Sequence, residues 1–132
     1  MKIFEGTPRQ HWKYLAYVVR HKWFVFWACA DLGILWRGLV HDLGKLRLSE
    51  WRLRYANPQK ALDVHKARNR HHQYDQTLTQ EEIKEVAADW VGAAQTRGND
   101  AVEWITNKGL WLSVHPANSV LLGQALDQLL GR

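Results

Sequence analysis

"TQEEIKEVAADWVGAAQTRGN", residues 79–99, is the stretch whose reading decides the fold. Thr79 and Glu82 stand three apart ahead of an apolar run, the capping-box signature of a helix start. Ile83, Val86, Ala87, Trp90, Val91 and Ala94 then recur with the helical period, and Gly98-Asn99 supplies the stop. Strand-like alternation is scarce in the rest of the chain, and no Asn-Gly or Asp-Gly hairpin signal occurs. The stretch therefore predicts an all-α chain.

Working outward, residues 9–30 read as a long first helix, apolar at Trp12, Leu15, Ala16, Val19, Trp23, Phe26 and Trp27. Gly33 allows a turn, and a second helix is expected over roughly 34–43 with Gly44 as its stop. Ser49 begins a short turn, "SEWRLRYA", before Asn57-Pro58 breaks the chain. A third helix is expected over about 59–74, a short one over about 100–108, and a last one from Pro116 to Leu130. The 132 residues show no internal repeat, low-complexity segment or long linker. They read as one domain, residues 1–132, a compact bundle of about five to six helices.

Composition bounds the partners. The apolar share is 46% and the charged share 23%, ordinary for a globular protein, but there are eight tryptophans. Net charge is +5, unevenly spread: residues 1–70 carry 14 Lys/Arg against 5 Asp/Glu, and residues 71–132 carry 4 against 8. A basic half suits an anionic partner, a nucleotide or nucleic acid, although a merely solvated basic face has the same composition. Cys29, the single cysteine, excludes an internal disulfide and reads as a buried thiol, in keeping with a reducing cytoplasm. The start of the chain has no apolar stretch of signal-peptide type. The most hydrophobic run, "WFVFWACADLGILW", is 14 residues long and interrupted by Asp31, too short to span a bilayer. A soluble, cytoplasmic protein with no membrane partner is expected, and that apolar run leaves room for a homodimer interface.

The residues that carry chemistry begin with "HDLGK", residues 41–45. His41 and Asp42 are both good ligands for divalent metals. Successive helical residues lie about 100° apart, so both reach one ion only if it sits in the angle between helices that supply further ligands. His21 on the first helix and Asp89 on the fourth are the candidates. Asp89 lines up with Val86 and Ala93 at the edge of an apolar stripe, where an unpaired charge is costly. Taken singly, Asp89 reads equally as a rim carboxylate paired with an arginine, and His21 as an ordinary interface histidine.

His21…His41-Asp42…Asp89 on helices resembles the HD-domain superfamily of metal-dependent phosphohydrolases. The likeness spans residues 21–89 and implies that these four residues hold a catalytic metal. Lys45, three residues after the aspartate, is similar to the phosphate-contacting lysine of the branch that hydrolyses cyclic dinucleotides, and "HHQYD" (71–75) echoes that branch's paired histidines. Its Gly-Tyr-Pro signature is missing, so that substrate class does not carry over. The layout also resembles an uncharacterised family of short phage and bacterial proteins with the segments "RHKWFVF", "HDLGK", "HKARNRHH", "ADWVGA" and a C-terminal "HP". That family brings no activity with it.

In "HKARNRHH", His65 and His72 are seven apart and share a face of a regular helix, while His71 points elsewhere. About 10.5 Å separates their Cα atoms, which suits two neighbouring ions, or an ion and a phosphate. Arg68 and Asn69 lie between them as a phosphate clamp; a solvated basic helix is the other reading of the segment. The expected centre thus draws on His21, His41, Asp42, Asp89, His65, His72 and His71 for one or two ions of Mn, Fe, Ni, Co, Zn or Mg, with Lys45, Arg68 and His65 as catalytic groups. Asp42 is the natural bridging ligand. His115, before Pro116, reads as a cap, and His11 as structural.

The resemblance implies a phosphohydrolase that attacks a nucleotide or other small phosphate ester with a metal-activated hydroxide. Two alternatives stand beside it. A di-iron oxygenase of the same fold would use His21, His41, Asp42, His65, one of His71 or His72, and Asp89. A non-catalytic basic helical domain would bind nucleic acid or protein. Trp36, Trp51 and Trp90 are candidates to stack a base or to fill the core. No Walker-type phosphate loop, Gly-Xaa-Ser-Xaa-Gly elbow or Cys-Xaa-Xaa-Cys pair is present.

Overall fold

The structure, a computed structural model, describes residues 7–40, 57, 59–60, 62–63 and 72–131. Among these residues every regular element is helical, so the all-α expectation holds. The elements are α1 (Pro8–Asp31), α2 (Leu35–Val40), α3 (Gln80–Thr96), α4 (Ala101–Asn107) and α5 (Ser119–Leu130), with 3-10 turns at Leu110–Ser113 and Pro116–Asn118. None of the described helices is long and apolar enough to cross a membrane.

The helix ends follow local chemistry. Thr79 accepts a hydrogen bond from the Glu82 amide at 3.2 Å, and the Glu82 carboxylate accepts one from the Thr79 amide at 3.3 Å. Thr7 and Gln10 close a second capping box at the start of α1, with Pro8 in its first turn, one residue before the expected start. Asp100 caps α4. Gly33 and Gly98 take φ of +77° and +71° in the turns after α1 and α3, a conformation in which a Cβ would be strained. His115 is the expected cap: its Nδ1 accepts from the Ala117 amide at 3.1 Å.

α3 is the central helix. Glu85 to Ala94 are buried without interruption, because α1, α4 and α5 all pack against it. Val25, Cys29, Leu32, Ile34, Val86, Trp90, Val91, Ile105, Leu122 and Leu126 form the core between them. Cys29 is fully buried, as its neighbours in sequence imply.

Two glycines set how closely the helices approach. A Cβ at Gly92 would lie 2.5 Å from Val25 Cγ2, and one at Gly38 would lie 2.9 Å from the Cys29 Cβ. Gly92 therefore draws α1 onto α3, and Gly38 draws α2 onto α1. Lys22 Nζ, on α1, donates to the carbonyls of Gly38 and Leu39 in α2. Arg37 ties α2 to α3 by donating to Glu85 at 2.9 Å and Glu81 at 3.3 Å.

The third expected helix needs a correction at its end. Asn57 caps the Lys60 amide at 3.1 Å, and residues 59–60 and 62–63 are helical as expected. The helix does not run to 74, however: His72 is in a 3-10 turn and Tyr74 in an irregular turn. The Tyr74 carbonyl accepts from the His115 amide at 2.9 Å and from Asn118 Nδ2 at 3.2 Å. These bonds tie the turn that carries His72 and Tyr74 to the His115–Asn118 segment.

Candidate metal centre

His21 and Asp89, 68 positions apart in the chain, meet across the α1–α3 contact, with His21 Nε2 2.9 Å from Asp89 Oδ1. Both are buried, at 3% and 9% exposure. The helical frame explains the meeting. Val25 is one turn after His21 and Gly92 one turn after Asp89, and the close approach of Val25 and Gly92 brings the two polar side chains into reach. Among the described residues Asp89 meets His21 and His72 rather than an arginine; Arg37 goes to Glu85 and Glu81.

His72 lies beside this pair, its Nδ1 3.9 Å from Asp89 Oδ2, an ion-pair separation too long for a hydrogen bond. It comes from the turn before α3 rather than from the face of a regular helix. Tyr74 follows. Burial raises its phenol above the ordinary value, and the charges of Asp89 and Asp75 push it further the same way. Arg37 is pulled down by burial, but its hydrogen bonds and charge attraction to Glu85 and then Glu81 outweigh this and raise it, so it remains a fixed cation.

Tyr17, one turn before His21, stacks on the imidazole with ring planes 3° apart and centroids 6.1 Å apart. Arg97, at the end of α3, lies 5.3 Å from the Tyr17 centroid and 5.4 Å from that of Trp104. The turn that carries His72 is fastened by Asn118, which is 1% exposed. Its Nδ2 donates to the Gln76 carbonyl at 2.7 Å and to that of Tyr74, and its Oδ1 accepts from the Leu78 amide at 3.2 Å.

These supporting residues escape sequence reasoning. An asparagine in "HPANS" has no periodic signal, and Tyr17 is one aromatic among many. Gly92 carries a faint one, since an isolated glycine inside a helical pattern marks a packing constraint.

The donor chemistry fits part of a metal site. An imidazole nitrogen and a carboxylate oxygen are both ligands of divalent metals, and here they meet at the 2.9 Å separation of a hydrogen bond. Among the described residues, no group of three or more His, Cys, Asp or Glu forms a metal-holding set. His41, Asp42, Lys45, His65, Arg68 and His71 lie outside the described residues, as does Trp51.

The other base-stacking candidates separate clearly. Trp90 is 4% exposed and wedged edge-on between Tyr74 and Trp111, so it is core and offers no free ring face. Trp36 is 72% exposed, so its core reading is corrected.

A family model matches residues 10–57, that of a family of unknown function, DUF5662. The match takes in α1, α2 and the stretch that carries His41, Asp42 and Lys45. No curated protein and no solved structure matches the chain.

Proposed function

We propose that the chain is a metal-dependent phosphohydrolase of HD type, acting on a nucleotide or another small phosphate ester. The observation that carries the proposal is the buried convergence of His21 and Asp89, two of the four residues expected to hold the ion, from helices far apart in sequence. A further support is that Lys22, the neighbour of His21, donates to the Gly38 and Leu39 carbonyls of α2, shortly ahead of His41 and Asp42 in the sequence.

In this reading His21, His41, Asp42 and Asp89 hold the ion, with His65, His71 and His72 available to a second one. The bound ion would supply Lewis acidity and a water acidified from a pKa of about 15.7 towards neutrality. Lys45 and Arg68 bind the phosphate oxygens and offset the charge that develops there. His72, more exposed than the His21–Asp89 pair, or His65 gives a proton to the leaving oxygen.

The test is hydrolysis of a panel, read as phosphate or pyrophosphate release from nucleoside mono-, di- and triphosphates and as nitrophenol release from a nitrophenyl phosphodiester, with Mn, Mg, Co, Ni, Zn or Fe supplied in turn. Turnover of at least one compound is expected, falling in Asp89→Asn by more than the roughly 10–100-fold that loss of an outer-shell partner costs. No release with any metal, or equal release by the variant, would overturn the proposal.

A further inference from the structure

α1 has two faces, and the outer one has no role in the proposed chemistry. Its buried side carries Val18, His21, Val25, Ala28 and Cys29. At about 100° per residue, Trp12, Ala16, Val19, Trp23 and Trp27 fall in a stripe on the opposite side. All five are exposed, the three tryptophans by 71%, 60% and 55%. An indole left in water at this level, three times on one stripe, is a large apolar surface held ready for contact. The stripe runs about 22 Å along the helix.

Charge selects the partner. Arg9, Lys13 and Arg20 follow one border of the stripe, all exposed and none paired with a carboxylate among the described residues. The other border has no such cation, because Lys22 there is held by the Gly38 and Leu39 carbonyls of α2. A second copy packed antiparallel on the stripe would bring like charges together, since Asp31 is the one acidic residue in α1. A lipid surface meets both borders of a helix alike, whereas here the cations are on one side. A single nucleic-acid strand has this asymmetry, with phosphates along one edge and stackable bases along the other.

We propose that the outer face of α1 binds single-stranded nucleic acid. Bases stack on Trp12, Trp23 and Trp27, the last two set edge-on to each other at 5.8 Å yet more than half exposed, unlike the buried Trp90, while Arg9, Lys13 and Arg20 neutralise the phosphates. The recognition is sequence-tolerant, because every base has a π-face. It is independent of the His21–Asp89 centre, which is on the opposite side of the helix.

The experiment is fluorescence anisotropy of the whole chain with a labelled oligodeoxythymidine of about 20 nucleotides, its ribonucleotide counterpart, and a duplex of equal length. Binding to a single strand is expected, weaker to the duplex, with a log–log salt slope of about −2 for three phosphates. Trp12→Ala with Trp23→Ala should weaken binding about ten-fold or more. Arg9→Gln, Lys13→Gln and Arg20→Gln together should flatten the salt slope. All five positions are exposed, so circular dichroism should show unchanged helicity. Absence of binding, binding untouched by the tryptophan changes, or capture of phosphatidylserine vesicles in place of the oligonucleotides would each overturn the proposal.

Discussion

The inner and outer faces of α1 carry opposite chemistry from what their composition suggests. The outer face has the bulkiest apolar side chains, Trp12, Trp23 and Trp27, and leaves them in water. The inner face has small apolar residues and one histidine, and buries all of them. Hydrophobicity alone would reverse the two. Close packing decides instead, because α3 approaches α1 at a glycine, and the gap there accepts Val25 but no indole. His21 can go inside because Asp89 awaits it.

Removing one partner of the inner pair should have the largest effect on this contrast. His21→Ala leaves Asp89 facing a void across the α1–α3 contact, and a loss of about 3 kcal/mol is expected from urea unfolding. Gly92→Ala comes next, at about 2 kcal/mol, since its Cβ meets a stiff β-branched Val25 backed by its own backbone. Val25→Ala in the same chain should recover part of the Gly92→Ala loss, a coupling that independent sites would not show.

Asn118→Ala should cost about 1.5 kcal/mol, because the Gln76 carbonyl and Leu78 amide lose a buried partner. Its more telling readout is the imidazole NMR signal of His72, which should broaden as the turn loosens while that of His21 stays sharp. Movement of both would show that the turn and the α1–α3 contact are one unit.

How much of this was legible beforehand divides by the range of the interaction. The capping box at Thr79, the period of α3, the stops at Gly33 and Gly98 and the cap at His115 are local, and reading a few adjacent residues is enough. The partnership of His21 and Asp89 was legible only as part of a ligand pattern, because neither residue alone distinguishes a metal ligand from a paired core group. That residues 72–76 form a turn was not legible. The turn is fastened by Asn118 and His115, which reach back some 40 positions to the Tyr74 carbonyl. The outward turn of the tryptophans was hidden for a similar reason, since the glycine that excludes them is on another helix.

The pH response sharpens the inner side further. The Tyr74 phenol is raised, so the folded chain keeps that proton to higher pH than the unfolded chain. Its contribution is fully present below about pH 10, the ordinary tyrosine value, and is lost as pH rises through the folded value. The melting temperature should therefore fall more steeply above about pH 10 in the native chain than in Tyr74→Phe. The smallest effect belongs to the outer face: Trp23→Ala should change stability by less than about 0.5 kcal/mol. A large loss there would mean that the stripe is structural.

Metal content tests the central claim most directly. The chain and Asp89→Asn, purified without chelator or histidine tag, are compared by elemental mass spectrometry, with the melting temperature of each confirming that it is folded. About one or two equivalents of a divalent transition metal in the native chain, lost in the variant, is the expected result. Two irons would keep the centre but move its chemistry from hydrolysis to oxygen activation. A folded native chain with no metal, even after reconstitution with each candidate ion, would contradict the claim and leave His21 and Asp89 as a buried structural pair.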